Sequence, residues 1–161
     1  GAALEQARLS LGSLAAVGDA LAGDFGALTL LRKVLGATLE GLGAGSGSLV
    51  VLDEQGRVAV GCAVYAGEAQ ALREAEHGEI LARGLTGWVA RNRAPALVTS
   101  TRDDPRWLRR AWDDRQEEPR SALSVPLLLG ERVLAVLTLV RRGRPFSEAE
   151  LVALANISRL A

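Results

Sequence analysis

The side chains with the greatest potential for chemistry in this sequence are its one cysteine and its one histidine. Cys62 lies in the apolar run VAVGCAVY. Because apolar surroundings raise the pKa of a thiol, this setting predicts a buried, unreactive cysteine. His77 follows Glu74 with the spacing of half a di-iron carboxylate motif, a site that needs two copies. One imidazole is also far short of a zinc ligand set, so an exposed loop histidine is the simpler interpretation. No catalytic residue, metal site or cofactor is predicted.

Two further patterns resemble anion-binding segments. Glycines alternate at positions 41, 43, 45 and 47, but they follow a predicted helix and precede a predicted strand, the reverse of a phosphate-binding loop. They are interpreted as a flexible connector. The run from Arg102 to Arg120 contains six arginines and six carboxylates, so it is predicted to be a balanced, solvated segment. Arg120 is the exception, because it enters a predicted hairpin.

The composition narrows the class of protein. The chain has 161 residues, 48% of them hydrophobic, which suits one domain with a substantial core. Its formal net charge is zero, so no general attraction to nucleic acid or anionic lipid is expected. A single cysteine excludes an internal disulfide and favours a cytoplasmic setting. No apolar run approaches about eighteen residues, so no membrane crossing is expected. Because methionine is absent, the piece is expected to come from a longer polypeptide.

The elements that position these residues begin with leucines at heptad spacing. Residues 1–23 are predicted to be an N-terminal linker or signalling helix, helical over about 2–21, and residues 24–161 to be the globular domain. Asp24 is expected to cap a second helix. An apolar seam results, formed by Leu4, Ala7, Leu11, Leu14 and Leu21. Two interpretations stay open: helix packing within the chain, or a coiled-coil-like stripe that pairs with a second copy.

Alternating apolar residues then predict an α+β domain with a central antiparallel sheet. Strands are expected at 48–53, 57–65, 96–99, 121–129 and 132–141. The first pair is joined by a hairpin turn ending at Gly56, and the last pair by a type II′ turn at Gly130 and Glu131. The last strand is apolar on both faces, with Val133, Ala135, Leu137 and Leu139 on one of them. It is therefore expected in the interior of the sheet.

Helices are expected between and after these strands. Residues 66–83 are interpreted as a loop with one or two helical turns, followed by a short helix at 86–92. A second helix is predicted at 105–116, with Asp104 as its cap and Pro105 as its first residue. Ser147 and Glu150 match a capping box that opens the last helix.

Several short motifs in this order resemble the GAF domain family. The matching pieces are Gly84-Leu-Thr-Gly-Trp-Val-Ala, Pro95, Asp103-Asp104-Pro105-Arg106, Arg120-Ser121, Val125-Pro126-Leu127 and Arg144-Pro-Phe-Ser-Glu. The resemblance implies a GAF-like (PAS-like) sheet of five to six strands, with the N- and C-terminal helices packed on one face. Short helices and loops would then cover a pocket on the other face. It also implies a sensory or regulatory role in multidomain signalling proteins, often with terminal helices paired between subunits.

The predicted pocket is lined by residues of the middle segment and of the last hairpin. Aromatic side chains there would stack on a planar ligand, although tryptophans more often anchor a core. The predicted ligand-binding residues are Tyr65, Trp88, Val98, Trp107, Arg120, Ser121 and Leu123.

Three activities found in the family lack their motifs here. Members that carry linear tetrapyrroles attach them at a cysteine followed by histidine, whereas Ala63 follows Cys62. The Asn-Lys-Phe-Asp-Glu signature of cyclic-nucleotide binders is absent. Relatives that reduce free methionine sulfoxide use several cysteines, whereas this sequence has one.

The sequence therefore predicts a non-catalytic, cytoplasmic sensory domain of a signalling protein, such as a two-component system. It would bind an unidentified small molecule, form a homodimer through its terminal helices and act on an effector domain. The alternatives are a purely structural dimerisation module with a self-filled pocket, and a sulfoxide-reductase-type enzyme.

Overall fold

The described chain is a succession of strands with helices before, between and after them. The computed structural model describes residues 5–9, 11–12, 25–65, 67–108 and 120–160. Residues 5–9 and 11–12 are helical. The later elements are α1 (Phe25–Leu42), β1 (Ser46–Leu52), β2 (Val58–Tyr65), β3 (Glu68–Ala71), a 3₁₀ turn (Glu74–Glu76), α2 (His77–Arg83), α3 (Leu85–Asn92), β4 (Ala96–Val98), β5 (Arg120–Leu129), β6 (Arg132–Arg142) and α4 (Glu148–Ile157). Within these ranges, no helix is both long and apolar enough to cross a membrane.

All six of these strands join one antiparallel sheet in the order β3-β2-β1-β6-β5-β4. The predicted α+β class and central antiparallel sheet are confirmed. β6 has β1 on one side and β5 on the other, so its predicted interior position is also confirmed. Because alternate residues of a strand face opposite sides, the central strands contribute to two separate cores.

The larger core lies between the sheet and the terminal helices. Leu31, Val34 and Leu35 of α1 and Leu154 of α4 are buried there. The sheet contributes the buried residues Leu49, Val51, Cys62, Leu123, Val125, Leu127, Ala135, Leu137 and Leu139. The first and last helices therefore share one face of the sheet, as predicted.

Part of the predicted N-terminal seam packs against this same core. Ala7 and Leu11 are buried by the chain itself, and Leu11 belongs to the larger core cluster. For these two residues the structure favours helix packing within the chain. The predicted seam residues Leu4, Leu14 and Leu21 and the predicted cap Asp24 lie outside the described residues.

A smaller core covers the opposite face of the sheet. Leu85 and Val89 of α3 pack there against the sheet residues Ala96, Val98, Ala122, Val136 and Val140. Short helices therefore lie over one face while the terminal helices lie over the other. This is the two-sided arrangement that the resemblance implied.

Arg141 joins the ends of three elements at the border of the larger core. Its guanidinium donates to the carbonyls of Leu42, Arg144 and Pro145 at 2.8–2.9 Å and to both carboxylate oxygens of Glu150 at 2.8 Å. Glu150 also completes the predicted capping box with Ser147 at the start of α4. The residue is only 5% exposed. One side chain thus ties β6 to the end of α1 and the beginning of α4.

Both predicted hairpin turns are present. Gly56 and Gly130 have φ values of +80° and +64°, the left-handed region that the two turns require. The pairing of β5 with β6 shifts register between Leu127 and Leu128. Because of that irregularity Val133, the second residue of β6, lies on the opposite face from the one predicted and packs with the smaller core. Its predicted place beside Ala135 is therefore wrong.

The alternating glycines are more than a flexible connector, contrary to prediction. Gly41 lies within α1 and Gly47 within β1. Gly43 ends the helix with a φ of +63°, while the Ala44 amide donates to the Leu39 carbonyl at 2.9 Å. At Gly47 a side chain would overlap the Thr138 carbonyl of the neighbouring strand, so close pairing of β1 with β6 requires glycine.

Two predictions in the middle segment differ from the structure. Residues 68–71 form the edge strand β3, which the sequence analysis assigned to a loop because its pattern is short and polar. Residues 105–107 form a turn and bend instead of the predicted helix start. The Asp104 side chain accepts the Arg106 amide at 2.9 Å, which closes a local turn. The remainder of the predicted helix lies outside the described residues.

The C-terminal residues add a short parallel bridge to β5 beyond the end of β4. The Leu128 amide donates to the Ser158 carbonyl at 2.9 Å, and the Leu160 amide donates to the Leu128 carbonyl at 2.7 Å. The edge of β5 is therefore covered partly by β4 and partly by the residues after α4.

Candidate functional site

A cavity lies on the face of the sheet that α2 and α3 cover. Its volume is about 80 Å³. The described residues that line it are Ser48, Val50, Tyr65, Leu72, Ile80, Gly84, Leu85, Thr86, Trp107, Leu108 and Thr138. Strands β1, β2 and β6 form its floor, and the segment from Leu72 to Leu108 forms its walls.

Three glycines allow the walls to approach this closely. A side chain at Gly61 of β2 would come within 2.6 Å of the Leu72 side chain, which therefore lies directly over the strand. A side chain at Gly87 would lie 2.9 Å from the Leu81 Cα, so α3 packs against α2 without an intervening group. Gly84 joins the two helices, and a Cβ added there would lie 3.0 Å from the Ile80 carbonyl oxygen, closer than an ordinary contact.

A cluster of three side chains holds the loop that carries Trp107. The Arg106 guanidinium binds the Asp104 carboxylate at 2.7 Å and lies 4.7 Å from the centre of the Trp88 ring. It also donates to the Leu97 carbonyl of β4 at 3.4 Å. The hydrogen bonds from Arg106 lower the pKa of Asp104, which keeps the carboxylate ionised. Arg106 therefore holds the loop, and with it the adjacent Trp107, against β4 at the edge of the sheet.

The structure brings two of the seven predicted site residues to the cavity, Tyr65 and Trp107. Trp88 and Val98 belong to the smaller core beside it. Arg120 is buried at the start of β5 and does not line the cavity.

Ser121 and Leu123 face the opposite side of the sheet. Leu123 is part of the larger core, and the Ser121 hydroxyl accepts the Phe146 amide at 3.0 Å beside that core. Ser124 lies on the cavity side, because its hydroxyl bonds that of Thr138 at 2.8 Å. The predicted residues Ser121 and Leu123 therefore do not line this cavity.

The lining residues that sequence analysis missed include a pair of small polar residues on paired strands. Ser48 of β1 lies opposite Thr138 of β6 in the register of the sheet. Ser48 directly precedes the apolar residues 49–52 of β1, and Thr138 lies within the otherwise apolar residues 133–140 of β6. A hydroxyl residue in such a strand was the available signal for a polar position beneath a cavity.

A second, wider groove of about 770 Å³ lies at the end of the sheet that holds the two hairpin turns. Its charged residues are Asp53, Glu54 and Glu131 on the turns, together with Arg91, Arg93 and Arg132. The two signs are equal in number, so these residues give the groove no net formal charge.

Comparison with known proteins decides the family. The family model described as GAF domain matches residues 28–161. The chain belongs to the GAF domain family. No curated protein sequence matches it.

Solved structures of GAF domains share this fold. The A. aeolicus nlh2 GAF domain, in an inactive state, is 18% identical with a TM-score of 0.58, and the match covers 98% of this chain and 94% of that one. The GAF domain of a phosphoenolpyruvate-protein phosphotransferase from Coxiella burnetii is 16% identical with a TM-score of 0.62, covering 97% and 88%. Free methionine-R-sulfoxide reductase from Neisseria meningitidis, in complex with its substrate, is 15% identical with a TM-score of 0.60, covering 98% and 84%. At these identities the likeness shows the fold.

The thiol of this GAF domain lies away from the cavity. Cys62 is fully buried in the larger core, on the face of the sheet that the terminal helices cover. Burial raises the pKa of the thiol to about 11. The described residues contain no group of three or more histidine, cysteine or acidic side chains placed to hold a metal ion.

We expect Cys62 to be unreactive in the folded protein. At about pH 8 the thiolate fraction is very small, and the core excludes the reagent. An aromatic disulfide reagent should therefore modify the thiol rapidly in urea and only at the rate of unfolding in buffer. Rapid modification without denaturant would contradict the buried placement. The variant Cys62→Ser controls for reaction at any other group.

Proposed function

We propose that this GAF domain is a non-catalytic sensory domain that binds a small molecule in the 80 Å³ cavity and transmits binding to its terminal helices. The proposal is supported by the way in which β1 and β6 contribute side chains to both faces of the sheet. In β1, Ser48 and Val50 line the cavity while Leu49 and Val51 pack in the core of the terminal helices. A ligand that displaced these strands would therefore also displace α1 and α4, which pack against their other face.

The proposed route of transmission ends at Arg141. Thr138 lines the cavity, and three residues later in β6 Arg141 binds the last turn of α1 and the first turn of α4. A shift of β6 would therefore change how the two helices are held relative to each other. Coupling of this kind is useful when it is worth about 1–3 kcal/mol.

The proposed output is a change in pairing between two copies of the chain. Val152 on α4 is a large apolar side chain that is 53% exposed, and Leu9 in the N-terminal helical residues is 56% exposed. Such side chains on the terminal helices suit a homodimer that passes its geometry to an effector domain. We place this module in the cytoplasm, in a signalling protein such as a two-component system.

A thermal-shift screen with a broad set of metabolites tests the binding proposal. A true ligand at about 100 times its Kd stabilises the folded protein by about 2.7 kcal/mol and raises the Tm. The control is Ser48→Leu, which fills the cavity from its floor. Ligands that bind the cavity should lose their effect in this variant. Hits that persist unchanged bind elsewhere, and a screen without any hit contradicts sensing.

A structural dimerisation module is the second candidate. The small volume of the cavity favours it, because about 80 Å³ leaves little room for a ligand beside the lining residues Tyr65 and Trp107. Light scattering separates the two proposals when it is combined with the screen. A dimer that Val152→Arg dissociates, in a protein that no metabolite stabilises, would favour the structural module.

Sulfoxide reduction is a weaker candidate. Solved neighbours include reductases of free methionine sulfoxide from Neisseria meningitidis and Staphylococcus aureus. The sequence has one cysteine, which lies on the far side of the sheet from the cavity. We therefore expect no reductase activity in the wild type.

A further inference from the structure

The described lining of the cavity contains no charged side chain. Its polar groups come from Ser48, Tyr65, Thr86, Trp107 and Thr138, and the other lining residues are aliphatic or glycine. Burial of an ion without a partner of opposite charge is far more costly than burial of a neutral polar group. This lining therefore favours an uncharged ligand.

Trp107 supplies a donor that lacks an acceptor in the described part of the chain. Its indole Nε1 is buried and makes no hydrogen bond there. The Thr138 hydroxyl, by contrast, is already bonded to that of Ser124 at 2.8 Å. An indole nitrogen can only donate, and leaving a buried donor unpaired is unfavourable. A ligand that offers an acceptor to Trp107 would remove that deficit.

The volume of the cavity limits the size of such a ligand. A value near 80 Å³ is well below the roughly 300–1,000 Å³ of sites for drug-sized molecules. An apolar cavity of about 150 Å³ is known to accept benzene, which has six non-hydrogen atoms, so by the same ratio a ligand here would have on the order of three to four.

We infer that the cavity takes a compact, uncharged and mainly apolar molecule whose hydrogen-bond acceptor receives the Trp107 indole N–H. The inference rests on the proposed function and names the ligand class of the same site. It separates this domain from a site for a zwitterionic amino acid or a nucleotide, each of which brings charges that the described lining does not match.

Four related probes, each with four non-hydrogen atoms, test the inference: acetone, 2-methylpropane, isopropylammonium and acetate. Each is titrated into the isotope-labelled protein while the indole N–H signals are followed by proton–nitrogen correlation spectroscopy. Acetone is expected to saturate and to move the Trp107 indole proton downfield, whereas the two ions should produce no saturable change. The Trp107 signal is assigned from Trp107→Phe. If that variant does not fold, Trp88→Phe and Trp112→Phe assign it by elimination.

The variant Trp107→Phe measures the hydrogen bond itself. Because phenylalanine changes the cavity for every probe, the quantity to compare is the affinity of acetone relative to that of 2-methylpropane. This ratio is expected to fall about threefold to tenfold in the variant. If the variant does not fold, a downfield shift with the ketone and none with the hydrocarbon gives the same answer.

Failure of the inference is distinguishable from failure of the proposed function. An unchanged ratio in Trp107→Phe, or saturation by a charged probe as tight as that by the ketone, overturns the inference and leaves ligand binding intact. The inference is also overturned, with ligand binding intact, if only charged metabolites stabilise the protein and Ser48→Leu abolishes their effect. If neither these probes nor any metabolite binds, both proposals fail.

Discussion

Replacement of Arg141 by alanine is expected to lower the free energy of unfolding by about 3–5 kcal/mol. The guanidinium is buried and donates five hydrogen bonds to three carbonyls and the Glu150 carboxylate. Its removal leaves these acceptors without their donor at the point where α1, β6 and α4 meet. Urea unfolding followed by circular dichroism measures the loss.

The neighbouring Arg142 provides a matched control. It is exposed at the end of the same strand, so Arg142→Ala should change stability by no more than about 0.5 kcal/mol. Arg141→Lys should be almost as destabilised as Arg141→Ala, because an ammonium cannot form the planar, bidentate contact with Glu150. Equal effects of the two alanine variants would show that Arg141 does not hold these elements together.

The same ion pair predicts an acid dependence of stability. Hydrogen bonds from Arg141 lower the pKa of Glu150 from 4.5 to about 2. Because the pKa is depressed in the folded state, the contribution is fully present above about pH 4.5 and is lost as the pH falls towards 2. Glu150→Gln should remove this part of the acid sensitivity, and a variant with an unaltered acid profile would contradict the assignment.

Replacement of Gly87 by alanine is expected to cost about 3 kcal/mol or more, at the upper end of the range for overpacking. The added Cβ would lie 2.9 Å from the Leu81 Cα and closer still to the Leu81 carbonyl group. A flexible side chain could move aside, but this obstacle is backbone. Since Gly84 is the single residue between α2 and α3, the two helices cannot separate without displacing the cavity wall.

Gly78→Ala is the matched control for this substitution. Gly78 lies in α2 and is exposed, with no atom within 4 Å of an added Cβ. Alanine is better than glycine within a helix by about 0.5–1 kcal/mol, so this variant should be neutral or more stable. Opposite signs for the two alanine substitutions are the expected result in urea unfolding. A neutral Gly87→Ala would mean that the helices are not closely packed.

Much of the fold could be predicted because its signals are local. The apolar character of β6 on both faces indicated an interior strand, and Ser147 with Glu150 indicated the start of α4. β3 was missed because its four residues are all exposed and its only apolar side chains are two alanines, so the alternation is too short and too weak to predict a strand. Gly47 was misread because its close approach to Thr138 depends on a strand ninety residues later in the chain.

The cavity was less predictable than the sheet because its position depends on register. Tyr65 and Trp107 were identified by residue type alone, whereas Ser48 and Thr138 become neighbours only through strand pairing. In β5 the predicted residues Ser121 and Leu123 lie on the face of the sheet opposite the cavity. The bulky set with Leu123 faces the larger core, and the smaller residues Ala122 and Ser124 face the other side. Relative side-chain size along the strand was the signal that could have decided the facing.

The borders of the sheet bear on how this domain resists aggregation. β3 has only four residues, all exposed and one of them acidic, which makes it a poor template for polymerisation. At the far border Arg106 donates to a carbonyl of β4, and residues 158–160 bond the backbone of Leu128 in the part of β5 beyond β4. Truncation after α4 would unmask that backbone, and the shortened protein should form fibrillar aggregates at concentrations where the intact chain stays dispersed.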